Sequence, residues 1–344
     1  MIRVVVAEDS ATARALIVAI LSADPEIEVV GQAEDGEQVV ELARLLRPDL
    51  ITMDVHMPRA SGFEATRRIL AERPVAIIVI SGTVDVRDVR SSLDVLDAGA
   101  LALLPKPAGP LAPTFAEDAR RLVTTVKAMA RIRLVPRAGR PSRITPVQVA
   151  TRTAPIATPR IVALCASTGG PAALHRLLPR LSGMPVPLLI VQHMAIGFTN
   201  GFAEWLASVS PMPVRLAVDG ETLQPGTVYL ADDDRHLGVS RGAIALSSSA
   251  AIGGFRPSGN HLFESVAHSF GAAAVGVMLT GMGRDGVEGL RALHDAGAHV
   301  IAQDEATSVV YGMPKEAVAV GAVDEVVALD AIAGRLQALA ARGD

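Results

Sequence analysis

Cysteine is nearly missing from this 344-residue chain: Cys165 stands alone, which excludes an internal disulfide framework and fits a reducing compartment. Aromatics amount to 3% of the residues, so Ala, Val, Leu and Ile must fill the cores. No apolar run approaches the ~20 residues that a membrane span needs; the best, around Ala272–Leu279, is short and leads into glycines. Glu8 and Asp9 interrupt the first apolar run too early for a secretion signal. These absences predict a cytoplasmic protein without membrane insertion. Lysine is scarce as well, with only Lys106, Lys127 and Lys315.

What is present suits two soluble domains. Half of the residues are apolar and a fifth are charged, and the length allows two separate cores. Charge is unevenly spread: residues 1–107 carry −6, residues 108–159 carry +7 and residues 160–344 carry −5. The basic middle, punctuated by Pro136, Pro141, Pro146, Pro155 and Pro159, has neither a period of 2 nor one of 3.6. It lacks interleaved aromatics and any helix-turn-helix pattern, and acidic bodies flank it. A solvated linker over 131–159 is therefore expected, rather than a nucleic-acid site.

Along residues 1–130, short apolar runs at Val4–Ala7, Val29–Gly31, Leu50–Met53, Val75–Ile80 and Ala100–Leu104 alternate with helical periodicity. That pattern predicts a five-stranded parallel sheet, with a fifth helix over Phe115–Ala130. From Arg160 the alternation resumes. Strands are expected at Ile161–Ala166, Pro187–Gln192, Ala274–Thr280 and His299–Gln303, with a strand-rich middle between Val214 and Leu246. The fold class is α/β: two doubly wound parallel-sheet domains, a smaller one over 1–130 and a larger Rossmann-like one over 160–344.

In open parallel sheets reactive groups gather at the carboxyl ends of the strands. In the first domain those ends carry Glu8-Asp9, Asp54, Ser81 and Lys106-Pro107. Clustered carboxylates need a hard cation, so Mg²⁺ is implied. With that charge neutralised by Mg²⁺ and Lys106, Asp54 on the central strand is the candidate nucleophile toward a phosphoryl group. The plainer alternative, that the carboxylates cap helices and Lys106 makes a surface ion pair, does not account for all of them at successive strand ends.

These residues, with Met57-Pro58 and Gly62, resemble the receiver domain of bacterial response regulators over residues 1–125. The resemblance implies phosphorylation at Asp54, switch roles for Ser81 and Lys106, a cis-type Pro107, and Mg²⁺ on Glu8, Asp9, Asp54 and the His56 backbone. The family's switch aromatic is replaced here by Leu103.

In the second domain the strand ends carry Ser167-Thr168-Gly169-Gly170-Pro171, then His193-Met194, then Gly281-Met282-Gly283-Arg284-Asp285-Gly286. As a dinucleotide loop the first segment fits poorly, because Gly-x-Gly-x-x-Gly is missing. As a nucleophile site it finds a base in His193 and an orienting acid in Asp285. The chain order Ser–His–Asp differs from that of α/β-hydrolases, chymotrypsin and subtilisin, and no Gly-x-Ser-x-Gly elbow is present. Cys165 reads as core, and Asp232-Asp233-Asp234 as a solvated turn.

Together with Val191-Gln192-His193-Met194 and Tyr311-Gly312-Met313-Pro314-Lys315-Glu316-Ala317, these segments resemble the catalytic domain of the chemotaxis protein-glutamate methylesterases, the CheB family. The resemblance covers 160–344. It implies Ser167 as nucleophile, His193 as base, Asp285 as its orienter, and the Met282 and Thr168 backbones as oxyanion donors, with no cofactor for the esterase. It departs from the family at Gly259-Asn260, where relatives often carry an acidic residue. Its implied substrates are methyl-accepting chemotaxis receptors, its phosphodonor a chemotaxis histidine kinase, its second activity glutamine deamidation, and its state monomeric. A receiver carrying a DNA-binding effector, or a catalytically silent adaptor, are the competing classes.

Overall fold

The structure, a computed structural model, describes residues 1–82, 86–132, 147–148 and 157–341. Most of the segment expected as a linker, 133–146 and 149–156, lies outside the described residues. The chain divides into two compact units, Met1–Arg140 and Pro141–Asp344.

The first unit alternates β1 (Ile2–Ala7), α1 (Ala11–Ser22), β2 (Ile27–Ala33), α2 (Gly36–Leu46), β3 (Leu50–Met53), α3 (Gly62–Glu72), β4 (Ala76–Ser81), α4 (Val86–Ala98), β5 (Ala102–Pro105) and α5 (Phe115–Ala130). The sheet is parallel throughout in the order β2-β1-β3-β4-β5. Every residue of β3 and β4 is buried, as expected for central strands covered on both faces. α1 packs on α5, and α2, α3 and α4 pack in series. The helices start where the sequence supplies caps. Ser10, Asp35 and Ser61 accept amide N–H groups of α1, α2 and α3, and Ser61 forms a reciprocal box with Glu64. Capping therefore falls to these three residues and leaves Glu8 and Asp54 to other work.

The second unit begins with a two-residue strand, β6 (Val147–Gln148), followed by β7 (Ile161–Ala166), α6 (Gly170–Leu177), β8 (Leu188–Gln192), α7 (Thr199–Ala207), β9 (Val214–Leu216) and β10 (Val228–Leu230). Next come β11 (His236–Ser240), β12 (Ala243–Ser247), α8 (Gly259–Phe270), β13 (Ala274–Met278), α9 (Val287–Asp295), β14 (His299–Gln303), α10 (Met313–Ala319), β15 (Glu325–Val327) and α11 (Leu329–Ala340). The main sheet runs β6-β15-β14-β13-β7-β8-β10-β9, parallel except for β6, while β11 and β12 form a separate antiparallel ribbon packed on α8. The strand-rich middle thus divides, with β9 and β10 extending the sheet and β11–β12 leaving it. No expectation covered α10 or β15. Seven- and three-residue elements are too short to display a period.

One feature of this order positions chemistry. From β7 the chain builds outward to β8, β10 and β9, then returns to β13 on the other side of β7. The carboxyl end of β7 is therefore a topological switch point, where an open α/β sheet leaves a crevice. Among the described residues no helix is long and apolar enough to cross a membrane.

Candidate functional site

The crevice at β7 brings together three residues far apart in sequence. Ser167 follows β7, His193 follows β8, and Asp285 closes the turn between β13 and α9. Ser167 donates its amide to the Thr280 carbonyl (3.0 Å) and accepts at its own carbonyl from the Gly170 amide (2.8 Å). Gln192, buried at the end of β8, ties the two sides: its side-chain amide donates to the carbonyls of Ser167 (2.9 Å) and His193 (2.8 Å). Gly170 allows this, since a Cβ there would lie 2.0 Å from Gln192 Oε1.

The His193 side chain is nine-tenths buried and stacks on Phe255, with ring centroids 4.3 Å apart. Its Nε2 lies 2.8 Å from Asp285 Oδ2. A carboxylate only accepts, so Nε2 carries the proton and Nδ1 presents a lone pair; Nδ1 is buried and has no partner among the described residues. Burial alone would raise the Asp285 carboxyl, but hydrogen bonds from His193, Ser258 and the Gly259 amide hold it below the usual carboxylate range. The Ser167 hydroxyl makes no hydrogen bond among the described residues.

The amides beside the serine are equally available. Neither Thr168 N–H nor Met282 N–H has an acceptor among the described residues. The turn carrying Met282 is pinned at Gly281, whose amide donates to Val310 O (3.1 Å) and whose carbonyl accepts from Gly312 (3.2 Å) and Met313 (2.9 Å). A Cβ on Gly281 would lie 2.8 Å from Ser167 Cβ, and one on Gly312 2.6 Å from the Gly281 carbonyl. The Tyr311–Ala317 segment thus buttresses the turn.

Cys165 lies next to His193 and Asp285 but is wholly buried, and burial together with the Asp285 charge pushes its thiol well up. It is packing, as its place on β7 suggested. Of the acidic run, Asp233 accepts the Gly197 amide (2.8 Å), and Asp234 pairs with Arg256 (2.7 Å), which gives a structured turn. Sequence reasoning assigned no role to Ser258 or Phe255. A serine before Gly259 and Asn260 is a helix-start signal, but nothing local points it toward Asp285.

In the first unit, Lys106 Nζ lies 2.9 Å from both Glu8 Oε1 and Asp54 Oδ2. Burial would lower the Lys106 ammonium, but these two hydrogen bonds hold it above its usual value. Burial raises Glu8, with the Asp54 charge adding to it and Lys106 opposing. One oxygen each from Glu8, Asp9 and Asp54 falls within 4.8 Å of the others, and Glu8 Oε2 is buried without a hydrogen-bond partner among the described residues. An all-oxygen donor set with an orphaned carboxylate oxygen fits a small hard cation. His56 follows β3 in the same loop, and Gly62 packs so closely that a Cβ would meet the Asp54 carbonyl at 2.1 Å. Ser81 ends β4 and is buried; its hydroxyl accepts from Ser92 Oγ (2.8 Å). The Lys106–Pro107 bond is not cis, contrary to what the resemblance implied; the cis bond among the described residues is Arg256–Pro257.

A family model described as CheB methylesterase matches residues 162–336, and one described as response regulator receiver domain matches residues 4–112. Among similar curated proteins is the protein-glutamate methylesterase/protein-glutamine glutaminase 3 of Anaeromyxobacter dehalogenans, 56% identical over 98% of each chain. The protein-glutamate methylesterase/protein-glutamine glutaminase 4 of Myxococcus xanthus is 54% identical over 97% of this chain and 96% of its own. The crystal structure of the Thermotoga maritima CheB methylesterase catalytic domain is 38% identical, with a TM-score of 0.51, covering 53% of this chain and all of its own.

Proposed function

The chain belongs to the CheB methylesterase family, and on that premise we propose how its residues carry out the work. It is a receiver-controlled protein-glutamate methylesterase of chemotaxis, with protein-glutamine glutaminase activity. The observation that carries the assignment of residues is the His193–Asp285 pair beside Ser167 at the switch point of the sheet.

Ser167 Oγ attacks the γ-carbonyl of a methyl-esterified glutamate while His193 Nδ1 takes its proton. Asp285 keeps the ring oriented and stabilises the imidazolium. The free amides of Met282 and Thr168 receive the oxyanion. As the tetrahedral intermediate collapses, His193 returns the proton to the leaving oxygen and methanol departs, leaving a glutamyl ester on Ser167. His193 then deprotonates water, which attacks that ester and restores Ser167 and a free carboxylate. A glutamine side chain enters the same route with ammonia as leaving group. Phe255, stacked on His193, limits the ring's rotation and screens it from water.

In the receiver, Asp54 Oδ accepts the phosphoryl group, and Lys106 bridges Asp54 and Glu8 so that charge can build there. Glu8, Asp9, Asp54 and the His56 carbonyl would hold Mg²⁺, which when bound supplies charge neutralisation for phosphoryl transfer. A phosphohistidine kinase of the chemotaxis system is the donor, and cytoplasmic helices of chemoreceptors are the substrate. Methanol release from methyl-esterified receptor, with and without a small phosphodonor, tests the reading. Turnover by Ser167→Ala at the parent rate would overturn it.

A further inference from the structure

Asp285 is held from more than one side. While Oδ2 meets His193 Nε2 and the Gly259 amide (2.6 Å), Oδ1 accepts the Ser258 hydroxyl at 2.5 Å. Ser258 is wholly buried and is itself seated from behind. Its amide donates to His236 Nδ1 (3.2 Å), and His236 Nε2 lies 3.2 Å from the Ala250 carbonyl. The carbonyl only accepts, so the His236 proton is on Nε2 and Nδ1 is free to receive Ser258. His236 is also fully buried and stacks on His261, with centroids 4.9 Å apart.

Ser258 is the N-cap of α8, its Oγ accepting from the Asn260 amide at 3.2 Å. Capping uses only the lone pair of the hydroxyl. The hydroxyl proton is surplus to that duty, and a charge-assisted bond as short as 2.5 Å places it on Asp285. A carboxylate turns easily about its last torsion, which is broad and roughly two-fold. With Oδ1 pinned by Ser258, Oδ2 stays on His193.

We infer that Ser258, seated by His236, is a positioning residue of the hydrolysis: it fixes the rotation of the Asp285 carboxylate as His193 gains and loses its proton. This rests on the roles of Ser167, His193 and Asp285 proposed above. The need is greatest in the transition state, when the imidazolium forms and its pairing with Oδ2 strengthens. Ser258 therefore acts on kcat, with KM left alone.

The test is a double-mutant cycle in the full chain with a small phosphodonor, following methanol release from methyl-esterified receptor. Ser258→Gly suits it, since glycine is itself a well-tolerated N-cap while the donor is lost. The expected outcome is a fall in kcat of about ten- to a hundredfold, the worth of a hydrogen bond to a charged group, with KM within about twofold. In the Asp285→Ala background the same change should have no further effect, because the oxygen that accepts the Ser258 hydroxyl is gone. Ser167→Ala sets the floor. A Ser258→Gly enzyme with kcat within about twofold of the parent overturns the inference. So does an equal loss in the Asp285→Ala background, which would mark Ser258 as support for the fold alone. Normal turnover by Ser167→Ala would instead remove the reading of the site on which the inference stands.

Discussion

The hydroxyls of Ser92 and Ser81 meet at 2.8 Å inside the receiver, both buried. Ser81 ends β4 and Ser92 lies on α4, so a strand end beside Asp54 is bonded directly to a helix. With Leu103 at the position where the resemblance places a switch aromatic, this pair is a candidate route out of the proposed phosphorylation site at Asp54. A phosphoryl group on Asp54, as proposed, would only accept, so it would compete with the Gly82 carbonyl for the Ser81 proton, and drawing Ser81 toward it would stretch the bond from Ser92. Ser92→Ala removes one tie on Ser81 in advance, and a net hydrogen bond is worth about 0.5–1.5 kcal/mol. Basal methanol release should therefore rise, and its stimulation by phosphodonor should shrink about two- to tenfold, with phosphate incorporation unchanged.

Glu8 gives the receiver a pH signature. Its folded-state pKa is raised above 4.5 by burial, so its contribution favours folding below 4.5 and is lost as pH rises through the folded value. A bound cation offsets the buried negative charge. The thermal midpoint gained on adding Mg²⁺ should grow as pH is raised from about 4.5, and Glu8→Gln should abolish most of that gain.

Gly170 and Gln192 make a steric prediction. A methyl at 170 would sit 2.0 Å from Gln192 Oε1 and 2.7 Å from Ala166 Cβ, displacing the amide that joins the Ser167 and His193 carbonyls. Gly170→Ala should cost about 1–3 kcal/mol by denaturant unfolding, and lower kcat by more than tenfold.

Asp285 and Ser167 should separate in severity. Ser167→Ala removes the nucleophile, and Asp285→Asn only the orienting charge, so the second should retain about one to two orders of magnitude more turnover. The lowered Asp285 pKa adds a stability contribution that is present above 3.8 and lost as pH falls through the folded value. Acid unfolding of Asp285→Asn should lack that component.

On β15, next to the edge strand β6 of the second sheet, Glu325 is buried and is held down to about 2. Burial alone would raise it; the His299 ring, 3.1 Å away, and the hydrogen bonds from Arg335 lower it. Its contribution to stability is therefore present above 4.5 and is lost as pH falls toward 2. Arg335 donates Nε to Glu325 Oε2 at 2.6 Å, and Arg335→Met should cost about 3 kcal/mol by leaving the carboxylate with His299 alone. Acid titration of the unfolding midpoint checks both points.

Much of this was legible in the chain itself. The runs Leu50–Met53, Ile161–Ala166 and His299–Gln303 are strands over those same residues, and Phe115–Ala130 is a helix over its predicted span. Such elements declare themselves because apolar periodicity and caps act over a few neighbours. The residues of the candidate site were legible for a related reason: a serine, a histidine and an aspartate each stood at the end of a run that reads as a strand. Strand order was not written locally. That β7 lies between β8 and β13 follows from packing among segments up to about a hundred residues apart, and only that order turns three strand ends into one crevice. The carboxylate's third partner lay deeper still. Ser258 reads as a helix cap from its neighbours, and its proton reaches Asp285 only because the tertiary fold seats the start of α8 against the turn after β13. A hydrogen bond depends on tenths of an ångström between side chains distant in sequence, which no local pattern records.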